Sequence, residues 1–318
     1  MKEISAAQRE VILDAIGEGL SPLPAGVLEK DLLVTAVLRT LADFPDPADL
    51  FFCGGTCLSK AHRLVRRMSE DVDFKIRIPA TSSRSAARRA LSELKHVAAR
   101  HLRAAGFEIP DDDVQSRADN TKISLRAVYA SRFPAVASLR PEIRVQLVAM
   151  EPRLPVRSLP LRSLLAEIVE LDEEPVTMPC VAVDETLAEK VVAMLRRLAI
   201  SDSADERSAP GELIRHVYDV AMICRGRPSA PGQETCEVFR AAAVADAEEF
   251  SGRDPLFAQD PFSAMRGALA LLLDDRGGQL RAAYGRFATD LVYGEVPSFE
   301  EARLLFVSAA EKMISKRP

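Results

Sequence analysis

Tryptophan is absent from this 318-residue chain, and aromatic residues of all kinds make up only 5% of it. A stacking platform for unpaired bases needs exposed aromatic rings, so the composition argues against one. The five cysteines (Cys53, Cys57, Cys180, Cys224 and Cys236) are odd in number, scattered and without CxxC spacing. They argue against a disulfide framework and a zinc knuckle, and for a reducing compartment. His62, His96 and His101 lack ligand spacing with any other histidine or cysteine, and no serine–histidine–acid arrangement stands out. No apolar run is long enough to span a bilayer. The first residues, MKEISAAQREVILDAIGEGL, carry acids and a helical period where a signal peptide needs an uninterrupted apolar stretch. The expectation is a cytoplasmic protein with no membrane partner. Internal repeats and low-complexity tails are also missing.

What is present is an ordinary globular balance, 47% hydrophobic and 28% charged, long enough for two domains. The formal net charge of −5 excludes wholesale polyanion binding, but the charge is uneven. Between Gly54 and Ala105 there are twelve Lys/Arg against four Asp/Glu. Residues 1–44 show helical periodicity interrupted at Ser21-Pro22-Leu23-Pro24, and Pro45-Asp46-Pro47 then breaks the chain. Leu50-Phe51-Phe52 predicts a short buried strand, and Gly54-Gly55-Thr56 opens a helix through about Arg67. Asp71–Ile78 alternates with period two as a half-buried strand, Ser83–Ala105 is a helix with a basic face, and Thr121–Tyr129 and Glu142–Met150 are two more strands. Pro155 to Pro175 is less regular, with an acidic cluster at Glu167–Glu174 that reads as a solvated face. Val176–Val183 is demoted to a sheet edge by Pro179. Asp184 caps a helix over Glu185–Leu198, Ser201–Pro210 is a polar loop, and everything from Gly211 onward is helical in pattern. The fold class is therefore α/β (α+β), a core over 1–183 followed by a mostly helical half over 184–318.

The chemistry concentrates in two strings, Phe52-Cys-Gly-Gly-Thr-Cys-Leu-Ser-Lys60 and Arg66-Arg67-Met-Ser-Glu-Asp-Val-Asp-Phe74. Two glycines between strand and helix let backbone approach a phosphate, and the helix start offers free N–H groups and a positive dipole end. Thr56, Ser59 and Lys60 add hydroxyls and a charge to that surface. Asp71 and Asp73, at i and i+2 on a strand, project from one face. Two such carboxylates with substrate phosphates and water are what Mg²⁺ takes. A Gly-Gly turn or an Asp-x-Asp pair taken singly is usually structural; the combination is informative.

That combination resembles the DNA-polymerase-β-type nucleotidyltransferase superfamily. With Glu29-Lys30-Asp31, Gly54-Gly55-Thr56-x-Leu58-Ser59-Lys60, Ser69-Glu70-Asp71-Val72-Asp73-Phe74, Glu189-Lys190 and Arg215-His216-Val217-Tyr218-Asp219, it is similar to the AbiEii/AbiGii toxins, which include the MenT-type toxins. His216 replaces the acid usual in the last motif. The resemblance implies a polymerase-β-like core with a mixed sheet and a site between the two halves. Asp71 and Asp73 would bind Mg²⁺ (or Mn²⁺), and Gly54, Gly55, Thr56, Ser59, Lys60 and Ser69 would hold the triphosphate of an NTP donor. Lys190 would neutralise phosphate charge or orient the nucleotide, and Asp219 would fix Lys190 or contact the base. It further implies transfer of a nucleoside monophosphate to an acceptor, with the tRNA 3′ end favoured, and a cognate antitoxin. A protein hydroxyl or a small molecule as acceptor, and NTP binding without transfer, stay open. The position where related sites place a third carboxylate holds Gln146, whose amide supplies neither an anionic ligand nor a strong base. The basic face of Arg84, Arg88, Arg89, Lys95, Arg100 and Arg103 reads equally as a solvated helix or as a phosphate track for RNA.

Overall fold

Alternating side chains along a strand put one set into the core and the other into solvent, and here that alternation builds the site. The computed structural model describes the chain apart from residues 44–49, 78–82, 112–113, 118–120, 201–209, 253, 275–277 and 316–318. The expected break at Pro45-Asp46-Pro47, the end of the strand at Ile78 and the Ser201–Ala209 loop lie outside the described residues. Two compact units are present, Met1–Val181 and Ala182–Pro318.

The first unit opens with α1 (Ala6–Gly17), started by a capping box between Ser5 and Gln8, and α2 (Ala25–Ala42). It continues through β1 (Leu50–Cys53), α3 (Gly54–Lys60), β2 (Asp71–Ile76), α4 (Arg84–Ala104) and β3 (Gln115–Arg117). It ends with β4 (Lys122–Val128), β5 (Glu142–Ala149), β6 (Arg157–Leu161), α5 (Leu164–Ile168) and β7 (Val176–Cys180). Among the described residues seven strands form one mixed sheet in the order β3-β4-β5-β2-β1-β7-β6. β5 runs parallel to β2 and β7 parallel to β1; the other pairings are antiparallel. Val72, Phe74, Val145, Leu147, Ile123, Leu125 and Phe52 bury one face, with the Phe52 and Phe74 rings 5.6 Å apart. α2 contacts β2, β7 and α4, and it is buried from Val27 through Thr35 rather than along one stripe. The opposite face carries polar residues in cross-strand register: Asp71 beside Arg144, which is paired in turn with Arg126, and Asp73 beside Gln146, paired in turn with Ser124.

Four local expectations need correction. α3 stops at Lys60 rather than near Arg67, because the Ala61 and His62 N–H groups both return to the Cys57 carbonyl and Arg63 takes a left-handed backbone (φ 55°). The stretch from Pro155 to Pro175 holds β6 and α5. β7 lies inside the sheet despite Pro179; β1 meets it only near Cys180, and the bond across that seam is Val181 N–H to the Phe52 carbonyl, beyond the proline. Asp184 stands inside its helix instead of capping it, accepting from Thr235 Oγ1 (2.7 Å) and pairing with Arg227 (2.6 Å).

The second unit is built of helices joined by short connections: α6 (Val183–Ile200), α7 (Pro210–Gly226), α8 (Gln233–Glu249), α9 (Pro255–Gln259), α10 (Pro261–Asp274), α11 (Gln279–Leu291) and α12 (Phe299–Ser315). α6 packs on α7, α8 and α10, while α7 also packs on α11 and α12. Fully buried Tyr218 on α7 meets the Phe287 ring of α11 edge-on at 5.4 Å.

Candidate active site

Gly54 begins α3 with φ +77°, a backbone region open to glycine, and a Cβ there would run into the Asp73 carboxylate, 3.2 Å from its Cγ. The same addition at Gly55 would collide with the Arg67 guanidinium and come 3.1 Å from Ser69 Oγ. The two glycines are therefore the gap into which Asp73, Arg67 and Ser69 fit. Thr56, wholly buried, donates its hydroxyl to the Asp71 carbonyl and ties α3 to the first residue of β2. Ser59 donates to the Thr56 carbonyl at 3.1 Å. Replacing Gly54 by alanine costs about 1–2 kcal/mol in backbone strain alone, and the larger effect is displacement of Asp73. We expect a lowered Tm and nucleotide transfer reduced more than folding explains, measured on the full chain.

Lys60 is a different matter. Its ammonium sits 2.7 Å from Asp31 Oδ1 and 3.0 Å from Thr35 Oγ1, buried behind α3. The structure does not bring it to Gly54 and Asp73, because the helix turns its side chain inward toward α2. Its charge balances a buried aspartate, so it leaves the expected triphosphate group.

α2 explains the Glu29-Lys30-Asp31 string. Glu29 accepts from the Arg132 N–H (2.6 Å) and Ser131 Oγ, holding the loop between β4 and β5. Lys30, fully buried, pairs with Glu70 at 2.7 Å and donates to the Arg140 carbonyl. Asp31 takes Lys60 and the Leu164 N–H at the start of α5 (2.6 Å). Three consecutive side chains thus anchor three segments around the strand that bears Asp71. Burial lowers the Lys30 pKa. Burial works the other way on Glu70, but Lys30 and then Arg140 outweigh it and hold its carboxyl below the usual range.

Asp71 is half-buried, and Arg140 grips it with both terminal nitrogens, Nη1 to Oδ1 at 2.9 Å and Nη2 to Oδ2 at 3.3 Å. Asp73 lies across from Cys53 on β1 and Gln146 on β5, so the amide occupies the register neighbouring the carboxylate. Asp71 and Asp73 offer hard oxygen donors on one face. Among the described residues no group of three or more His, Cys, Asp or Glu could hold a metal unaided. This donor set suits a Mg²⁺-like ion completed by substrate phosphate and water.

In the second unit Lys190 on α6 and Asp219 on α7 form an ion pair at 2.6 Å. Asp219 is fully buried and Lys190 is 8% exposed, so each charge depends on the other. His216 offers Nε2 to Arg197 Nη1 at 3.2 Å, taking with a ring nitrogen a contact suited to an acid.

The family described as "Nucleotidyl transferase AbiEii toxin, Type IV TA system" matches residues 36–303. The chain belongs to the AbiEii nucleotidyltransferase toxin family. Among solved structures it is similar to MenT4, a nucleotidyltransferase toxin from Mycobacterium tuberculosis H37Rv. That match has a TM-score of 0.54 at 17% identity and covers 97% of this chain and 90% of the other. At that identity the likeness speaks for the fold alone, an α+β arrangement shared with that toxin. Comparison with curated proteins finds no match. As an AbiEii toxin, the protein is a nucleotidyltransferase of a type IV toxin–antitoxin family, for which an NTP, a divalent metal and an antitoxin are the general associates. No helix among the described residues is long and apolar enough to cross a membrane.

Sequence reasoning missed Arg140 and, while naming Arg67, Lys30 and Glu70 in its strings, gave them no role at the site. Glu70 stood inside a recognised string and was detectable there. Arg140 is a single arginine in a loop, with no spacing to mark it.

Proposed function

We propose that this AbiEii toxin transfers a nucleoside monophosphate from an NTP to the 3′ end of tRNA, releasing pyrophosphate and blocking aminoacylation. The observation that supports this most is the Gly54–Gly55 turn closed on the Asp73 carboxylate, with Asp71 two residues earlier on the same sheet face. Asp71 and Asp73 would hold Mg²⁺ or Mn²⁺, which when bound supplies Lewis-acid stabilisation of charge on the transferred phosphoryl group. The glycine turn, with Asp73, Arg67 and Ser69 packed against it, would hold the triphosphate. Thr56 and Ser59, turned to main-chain carbonyls, hold α3 in place under that turn. Lys190, oriented by its ion pair with Asp219, would neutralise phosphate charge.

For the acceptor, the supporting feature is α4. Arg88, Arg89 and Arg100 are exposed along it, a row suited to a phosphate backbone. Arg103 is engaged with the Ile109 carbonyl and Asp111, and the Arg84 side chain lies outside the described residues. A second reading rests on Gln146. With an amide across from Asp73, the site could bind NTP without transfer.

Incubating the full chain with total tRNA, Mg²⁺ and each α-³²P-labelled NTP separates these readings, with Asp71→Ala as control. Our reading requires a labelled tRNA band with at least one NTP, lost in the control. NTP binding with no pyrophosphate release supports the second reading, and labelled protein in place of RNA moves the acceptor to a protein hydroxyl.

A further inference from the structure

Arg140 stands just before β5, and its main chain is pinned twice. Its N–H donates to Glu70 Oε2 at 2.9 Å, and its carbonyl accepts from the buried Lys30 ammonium. These two bonds hold the main chain in place, and the side chain reaches from there to its partners. Glu70 shares that side chain with Asp71: Lys30 faces Glu70 at 2.7 Å, and Arg140 Nε pairs with its Oε1 at 3.3 Å. The terminal nitrogens go instead to Asp71, one on each carboxylate oxygen. A guanidinium fork of this kind occupies both oxygens in the carboxylate plane, where a hard cation would also seek them. It offsets the repulsion between Asp71 and Asp73, two like charges on one strand face.

Resting on the reading of Asp71 and Asp73 as metal ligands, we propose that Arg140 is a resident competitor for the metal. It holds Asp71 until metal and nucleotide arrive together. A divalent cation alone must displace the two terminal nitrogens from Asp71 and leave them without that carboxylate, with only the Nε contact to Glu70 kept. When a triphosphate comes with the cation, the released side chain has phosphate oxygens to turn to, so the two ligands bind with positive coupling. Arg140 is thus a positioning residue whose charge decides when the metal site opens.

The test titrates the full chain with Mn²⁺ alone, following the free-ion electron paramagnetic resonance signal, then repeats the titration with a non-hydrolysable NTP analogue. Arg140→Gln is expected to bind Mn²⁺ about tenfold more tightly than wild type without nucleotide, the scale of one charge-assisted hydrogen-bonded contact. The nucleotide-induced gain in affinity should shrink by the same factor. Arg140→Lys, which keeps the charge but loses the fork, should fall between the two and serves if the glutamine variant does not fold. Unchanged or weaker Mn²⁺ binding in both variants overturns the proposal. Asp71→Asn in the Arg140→Gln background identifies the metal site itself. If the double variant keeps the tight Mn²⁺ binding, the assignment of Asp71 as ligand fails. If Asp71→Asn abolishes Mn²⁺ binding while Arg140 has no influence, only the competitor role fails.

Discussion

Asp73→Asn and Asp71→Asn should each lower nucleotide transfer by about 100- to 1,000-fold, the effect of removing one preorganised charge-stabilising group from a phosphoryl-type transition state. Asparagine keeps the shape of the side chain, so the Gly54 contact survives and only the charge is lost. Both aspartates are partly buried, and the isosteric exchange leaves their packing in place. Asp71→Asn also removes one of the two carboxylates that Arg140 pairs with, while Asp73→Asn leaves both. The two variants should therefore match in lost activity and differ in how firmly the β4–β5 loop is held, readable by amide hydrogen exchange around Arg140. The measurement is initial-rate labelling from an α-³²P-NTP beside a thermal melt. Activity near the wild-type level in either variant, with the fold intact, would remove the carboxylate pair from the mechanism.

Glu70→Ala should destabilise the first unit by about 3–5 kcal/mol, the range for leaving a buried charge without its partner. Lys30 is fully buried, and Glu70 is its carboxylate partner. Replacing both at once, as Lys30→Met with Glu70→Leu, should recover most of the loss, since apolar side chains need no counter-charge. Denaturant melts of the three variants test this, and a double variant no better than Glu70→Ala alone contradicts it. The same carboxylate gives a pH dependence. Its folded pKa lies below the ordinary 4.5, so its contribution is complete above that pH and is lost as pH falls through the lower, folded value. In Glu70→Gln the acid limb of the stability curve should flatten over that range.

Much of this was legible because burial imposes periodicity. The two-residue alternation in Asp71–Ile76 and Glu142–Ala149 marked strands and assigned their outward faces, which put both aspartates together before any register was known. The Gly-Gly pair marked a close approach, and the structure supplies what approaches: Asp73 to the first glycine, Arg67 and Ser69 to the second. What escaped has physical causes. β3 is three residues long, and β6 is mostly exposed with a proline in it, so neither carries an alternation to detect. The pairing of Lys60 with Asp31 escaped because its place in a motif says nothing about which way a helix turns it. Arg140 depends on a loop being pinned by residues on α2 and before β2, a tertiary fact with no local trace.

Sequencing the 3′ ends of tRNA from cells expressing the full chain, beside cells expressing Asp73→Asn, tests the central claim most directly. Nucleotides added beyond the mature 3′ end in the first culture alone, together with its growth arrest, are the predicted result. Growth arrest with unaltered tRNA 3′ ends would contradict it.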